Sequence, residues 1–142
     1  MAGIAEMLEK MRAQREKTHR RLQDVTEEQM VTTVTNYSER DVTARFMFYR
    51  LIAHEVEHAV HLAKTLHALG IAQSEAGLIL KNLQTARGEL EGMLVGLTDD
   101  DLDRVPSEGE WPVREVIDHI LKTEESYAKR IEDGLAAPLK AS

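Results

Sequence analysis

Leu94-Val95-Gly96-Leu97-Thr98-Asp99-Asp100-Asp101-Leu102 is the second copy of a pattern that first occurs as Leu22-Gln23-Asp24-Val25-Thr26-Glu27-Glu28-Gln29-Met30, 72 residues earlier. In both copies a threonine follows apolar residues and can cap a short helix. A second match aligns Phe46–His54 with Trp111–His119 at an offset of 65, so the first connection is longer by seven residues. The chain is therefore predicted to consist of two similar helical hairpins, which pack naturally as a four-helix bundle.

Helical spacing of apolar residues predicts four long helices, and no strand is predicted. The first helix is expected to end near Gln23, and Arg15 is the one charged member of its apolar stripe. The second is expected to begin after Ser38 or Asp41 and to stop at Gly70. We predict one all-α domain over residues 1–142, with a first hairpin at about 3–70.

The second hairpin is predicted at about 74–134. Ser74 can cap the third helix, whose stripe includes Leu83 and Leu90. The fourth helix opens at Trp111-Pro112, since proline at a first-turn position has no N–H to lose, and it continues to Gly134.

Composition limits the classes of function. The 142 residues carry a net charge of -7 and include no cysteine, which removes thiolate ligands and a cysteine nucleophile. Nucleic acid is not expected as a partner, because neutralising phosphates requires clustered Lys and Arg. No apolar run approaches the ~20 residues of a membrane span, and we expect a cytoplasmic protein without a membrane partner.

Three histidines recur on one face of the predicted second helix. At ~100° per residue, His54, His58 and His61 project in one direction, and two histidines one turn apart can both reach one ion. They continue a stripe begun by Met47 and Leu51, and a buried polar stripe needs partners. The repeat places His119 on the fourth helix at the level of His54, so a facing helix supplies a third ligand.

These residues carry a family resemblance. Glu110-Trp111-Pro112-Val113-Arg114-Glu115-Val116-Ile117-Asp118-His119 resembles the Trp-Ser-Val-Arg-Glu-Val-Leu-x-His segment of the DinB/YfiT-like bundle superfamily, in which the histidine binds metal. His54-Glu55-Val56-Glu57-His58 resembles that family's late helix with the other two ligands, although here it precedes the Trp-containing hairpin and Ala59-Val60-His61 replaces the family's Arg-Gly-Gln. The resemblance implies a four-helix bundle with a three-histidine site at His54, His58 and His119.

The predicted ion is divalent, zinc or nickel, and three imidazoles leave a fourth position open. Family members include enzymes that transfer low-molecular-weight thiols, so the resemblance implies a thiol cosubstrate and a metal-dependent thiol transferase or hydrolase-like reaction on a small molecule. Glu57, Glu124 and Glu125 are candidates to orient a ligand histidine or to move a proton. His61 is expected beside the ion without binding it.

Two alternatives stay open. His54-Glu55-x-x-His58 has the zinc-protease spacing with Glu55 as general base, but that mechanism usually needs an edge strand, and no strand is predicted. The other alternative is a non-catalytic bundle that binds metal or serves as a dimeric interaction module.

The linker between the hairpins predicts the assembly. Gly70-Ile71-Ala72-Gln73-Ser74 spans only ~17 Å when extended, whereas a helix of nearly thirty residues is ~40 Å long. Either the bundle is simply antiparallel, or two chains exchange hairpins. We expect a homodimer, in which exchange would draw His119 from the partner.

Overall fold

The computed structural model describes residues 3–137, and helices dominate this range. In chain order the elements are α1 (Ile4–Leu22), α2 (Glu27–Met30), β1 (Thr33–Tyr37), β2 (Arg40–Thr43), α3 (Ala44–Ala68), α4 (Glu75–Met93), a 3₁₀ helix (Asp99–Asp103) and α5 (Val113–Ala136). The predicted all-α class is confirmed.

The expectation of no strand was wrong, because a small β-hairpin fills the longer first connection. Strands β1 and β2 pair in antiparallel fashion, with Tyr37 opposite Arg40. The turn residues Ser38 and Glu39 have φ of 49° and 65°. Two successive left-handed residues match the twist of a hairpin, but asparagine and glycine usually occupy them. The sequence therefore lacks the usual turn signal. The hairpin lies in the first connection, which is the one that is longer by seven residues.

The second long helix begins later than predicted. Its N-cap is Thr43, whose hydroxyl accepts a hydrogen bond from the Phe46 N–H, so neither Ser38 nor Asp41 caps it. Both of those residues belong to the hairpin. The predicted Ser74 cap of α4 and the stop at Gly70, with φ of 67°, are confirmed.

Replacing Thr43 with alanine should lower the free energy of unfolding by about 1 kcal/mol, because the Phe46 N–H loses its acceptor. Thr43→Ser retains the hydroxyl and should keep nearly the parent value. Urea unfolding followed by circular dichroism measures both. Equal loss in the two variants would contradict the capping role.

The repeated threonines both begin short helices. Thr26 accepts from the Gln29 N–H, and the Gln29 side chain accepts from the Thr26 N–H in return. At Thr98 the partner is Asp101, whose carboxylate accepts from the Thr98 N–H at 3.0 Å and from the Thr98 hydroxyl at 2.8 Å. The repeat seen in the sequence is thus a repeat of local structure.

The Asp101 carboxyl makes the stability of the second repeat, Leu94–Leu102, depend on pH. The hydrogen bond from the Thr98 N–H, followed by those from the Thr98 hydroxyl and Arg104, lowers the pKa of Asp101 to about 2. A carboxyl whose pKa is lowered on folding stabilises the fold above its ordinary pKa of 3.8, and this contribution is lost as the pH falls toward 2.

Asp101→Asn should therefore be less stable than the parent at neutral pH, and the difference should shrink as the pH falls toward 2. Urea midpoints at several pH values test this. Asp100→Asn is the control, because it removes the same charge from a carboxylate that makes no hydrogen bond within residues 3–137, and it should leave the contacts between Asp101 and Thr98 intact. A constant difference between Asp101→Asn and the parent at all pH values would contradict the assignment.

The chain comprises two units, Met1–Gly96 and Leu97–Ser142. In the first, β2 and α2 pack on the start of α3, and in the second the 3₁₀ helix packs on α5. Within residues 3–137 the single buried hydrophobic side chain is Val42, which is 8% exposed. The assignment of residues 1–142 to one domain, with hairpins at about 3–70 and 74–134, stays a prediction.

Candidate metal centre

Helix α3 carries the predicted cluster of histidines. The ring centroids of His54 and His58 are 4.4 Å apart, and those of His58 and His61 are 5.6 Å apart. All three side chains are exposed. Within residues 3–137 none of the three accepts or donates a hydrogen bond, so each ring keeps its nitrogens available.

The His54 and His58 rings form the closest pair in the cluster, with centroids 4.4 Å apart. Histidines one turn apart on a helix can both reach one ion at ~2.1 Å. The His61 ring follows along α3, with its centroid 5.6 Å from that of His58.

His119 lies on α5 in the second unit. Its ring packs edge-on against Trp111, with centroids 5.0 Å apart. Both rings line a depression of about 340 Å³ that is also bordered by Asp118 and Lys122. Trp111 precedes the helix and folds back over its first two turns, so it restricts the orientation of the histidine ring.

An ion pair that helical spacing could not predict fixes the start of α5. The Arg114 guanidinium donates two hydrogen bonds to Asp103, at 2.7 and 2.9 Å. These bonds lower the pKa of Asp103 below its ordinary value. Since the two residues are separated by a non-helical connection, only the tertiary structure reveals their contact.

The acidic candidates differ in their surroundings. Glu57 forms an ion pair with Arg50 at 3.6 Å, and Arg50 also lies over the Tyr37 ring at 6.0 Å. Arg50 lies two turns before Glu57 on the same face of α3, a spacing from which the sequence could have predicted this pair. Glu124 and Glu125 lie on α5 beyond His119.

The ion pair of Arg15 accounts for a charged residue within the apolar stripe of α1. Its guanidinium contacts the Glu55 carboxylate at 2.6 Å, so it joins α1 to α3 beside His54. Glu55 is the residue that the protease alternative requires as general base. This contact engages its carboxylate in an ion pair instead.

The structure brings together His54 and His58, with His61 adjacent. Within residues 3–137, it shows no group of three histidine or acidic side chains arranged to hold a metal ion. The participation of His119 therefore stays a prediction.

The comparison with protein families concerns the second half of the chain. Residues 82–141 match the model of the DinB superfamily. This segment is therefore similar to the DinB superfamily. The matched residues include Trp111 and His119, and they exclude the histidines of α3.

A curated relative also matches part of the chain. Uncharacterized protein YuaE of Bacillus subtilis (strain 168) is 39% identical over 56 residues, which make up 39% of this chain and 35% of that protein. The match thus spans about a third of the relative's length. No solved structure matches the chain significantly.

Among the helices of residues 3–137, none combines the length and the apolar character needed to cross a bilayer.

Proposed function

We propose that this chain, whose residues 82–141 are similar to the DinB superfamily, binds one divalent metal ion, zinc or nickel, through His54, His58 and His119. The observation that carries the proposal is the pair of exposed His54 and His58 rings, which lie side by side on one face of α3 with centroids 4.4 Å apart. His119 is the histidine of the family-matched segment, and Trp111 restricts its ring. His61 is the neighbour that borders the ion without binding it.

We further propose a reaction on a small molecule, of the thiol-transfer or hydrolase-like type. A divalent ion held by three imidazoles would supply an open position at which water or a thiol is favoured as its anion. This chemistry suits a chain without cysteine, because the nucleophile comes from the cosubstrate. Glu57 is the candidate on α3 to move a proton, and its carboxylate forms an ion pair with Arg50 on the same helix. Glu124 is the candidate on α5.

A second function is a non-catalytic, metal-binding interaction bundle. The extent of uncovered apolar surface on the helices favours it, because such surface is typical of proteins that associate. The two functions share the metal site and differ in turnover.

Elemental analysis of untagged protein, after exposure to zinc or nickel and removal of excess, tests the metal site. We expect about one ion per chain, since the three proposed ligands form one site. Protein that retains no stoichiometric metal would overturn the proposal. Screening small electrophiles with bacillithiol, mycothiol and glutathione then separates the functions, because metal-dependent turnover is expected of the enzyme alone.

A further inference from the structure

The long helices leave their apolar faces uncovered. On α4, Leu80 and Leu83 are 60% and 45% exposed, and on α3 Leu51, which lies on the stripe of the histidines, is 48% exposed. Tyr127 and Ile131, which continue the predicted stripe of α5, are exposed as well. Amphipathic helices derive most of their stability in water from packing such faces. These helices therefore need a partner surface.

The accessible surface area of the chain shows how much surface a partner would have to cover. The chain of 16.1 kDa exposes 12732 Å². Even two separate units of the sizes found here would together expose only about 8,800 Å² if each were compact. The excess of roughly 3,900 Å² is several times the ~800 Å² that each partner buries in a standard interface. Whole helices, and not a surface patch, must be covered.

The faces of α3 and α4 do not cover each other. Within the first unit, α4 does not pack along α3, although only the short linker 69–74 separates them. The helices thus do not form an antiparallel pair that would cover their own stripes. An apolar depression of about 520 Å³, lined by residues including Leu22, Met47 and Phe48, also opens on this unit.

We propose that a second copy of this chain completes the bundle by an exchange of helical hairpins. The hairpin containing α4 and α5 of one copy packs on the hairpin containing α1 and α3 of the other. The partner's His119 then stands beside His54 and His58, so each metal site draws ligands from both copies. The metal-site part of this inference rests on the proposed function, whereas the exchange rests on the uncovered faces.

The internal repeat indicates that a second copy of this chain covers the exposed helix faces. The two predicted hairpins have the same local plan, with a threonine-led short helix after the first long helix. The helices of both carry exposed apolar residues. A two-fold symmetric pair covers both kinds of stripe with the same contacts used twice. An unrelated protein would have to match both surfaces separately.

Cross-linking tests the exchange without metal. The chain has no cysteine, so a His58→Cys/His119→Cys variant carries two unique thiols for a short bis-maleimide reagent. We expect a denaturation-resistant species of twice the chain mass. Linkage within one chain, or no linkage, would overturn the exchange. His67→Cys/His119→Cys is the matched control, because His67 lies more than two turns farther along α3 and should link poorly.

Metal binding by mixed chains gives a second readout. A His54→Ala/His58→Ala chain and a His119→Ala chain each lack a complete site. After full subunit exchange at equal amounts, random pairing should restore roughly one quarter of the parent's zinc sites, since only mixed dimers carry one intact site. No recovery, with mixed dimers confirmed by native mass spectrometry and zinc bound by the parent, would overturn the shared site. If the parent binds no zinc, the proposed function fails, and cross-linking still decides the exchange.

Discussion

Replacing His58 with alanine is expected to lower the affinity for zinc by at least roughly 100-fold, since loss of a residue that merely supports a ligand already costs 10–100-fold. His58 is the shared neighbour in the cluster, with its ring 4.4 Å from His54 and 5.6 Å from His61. Its removal therefore leaves no adjacent pair at the shorter spacing. Competition titration with a chromophoric zinc chelator measures the change.

Two histidines on the same helix serve as controls for His58. His61→Ala should have a much smaller effect, at most about 10-fold, because we place it beside the ion and not on it. His67→Ala should have none, since it stands in the last turn of α3. If His61→Ala weakens zinc binding more than His54→Ala does, the assignment of ligands is wrong.

Replacing Leu83 with glutamate is expected to dissociate the dimer. Leu83 is 45% exposed in the single chain, where such a substitution would change stability by only about 0.5 kcal/mol. In the exchanged bundle this side chain lies in the shared core, and each buried carboxylate without a partner costs several kcal/mol. With two substitutions per dimer, the dissociation constant should rise by at least roughly 100-fold. Sedimentation equilibrium over a range of concentrations measures it.

Gln84→Glu is the matched control, because it adds the same charge at the next position on α4, which points about 100° away. It should leave the dimer intact. A Leu83→Glu protein that stays dimeric, with an unchanged unfolding midpoint, would contradict the burial of this stripe between copies.

Much of the helical architecture follows from local sequence. Ser74 caps α4 and Gly70 ends the preceding helix, because side-chain caps and left-handed glycines act within a few residues of their own position. The repeated threonines likewise begin their short helices by contacts three residues away. The β-hairpin could not be predicted in the same way, since Ser38 and Glu39 adopt left-handed conformations that neither residue type favours.

The sequence by itself determined the long helices, the helical phase of His54 and His58, and the DinB resemblance of the segment around His119, because each depends on spacing along one helix or on a contiguous motif. Only the tertiary structure decided the pairing of Arg15 with Glu55 and of Arg114 with Asp103. It also showed that α4 does not pack along α3. The physical reason is that periodicity identifies which face of a helix is apolar, whereas the surface that covers this face depends on how the connections direct the helices in space.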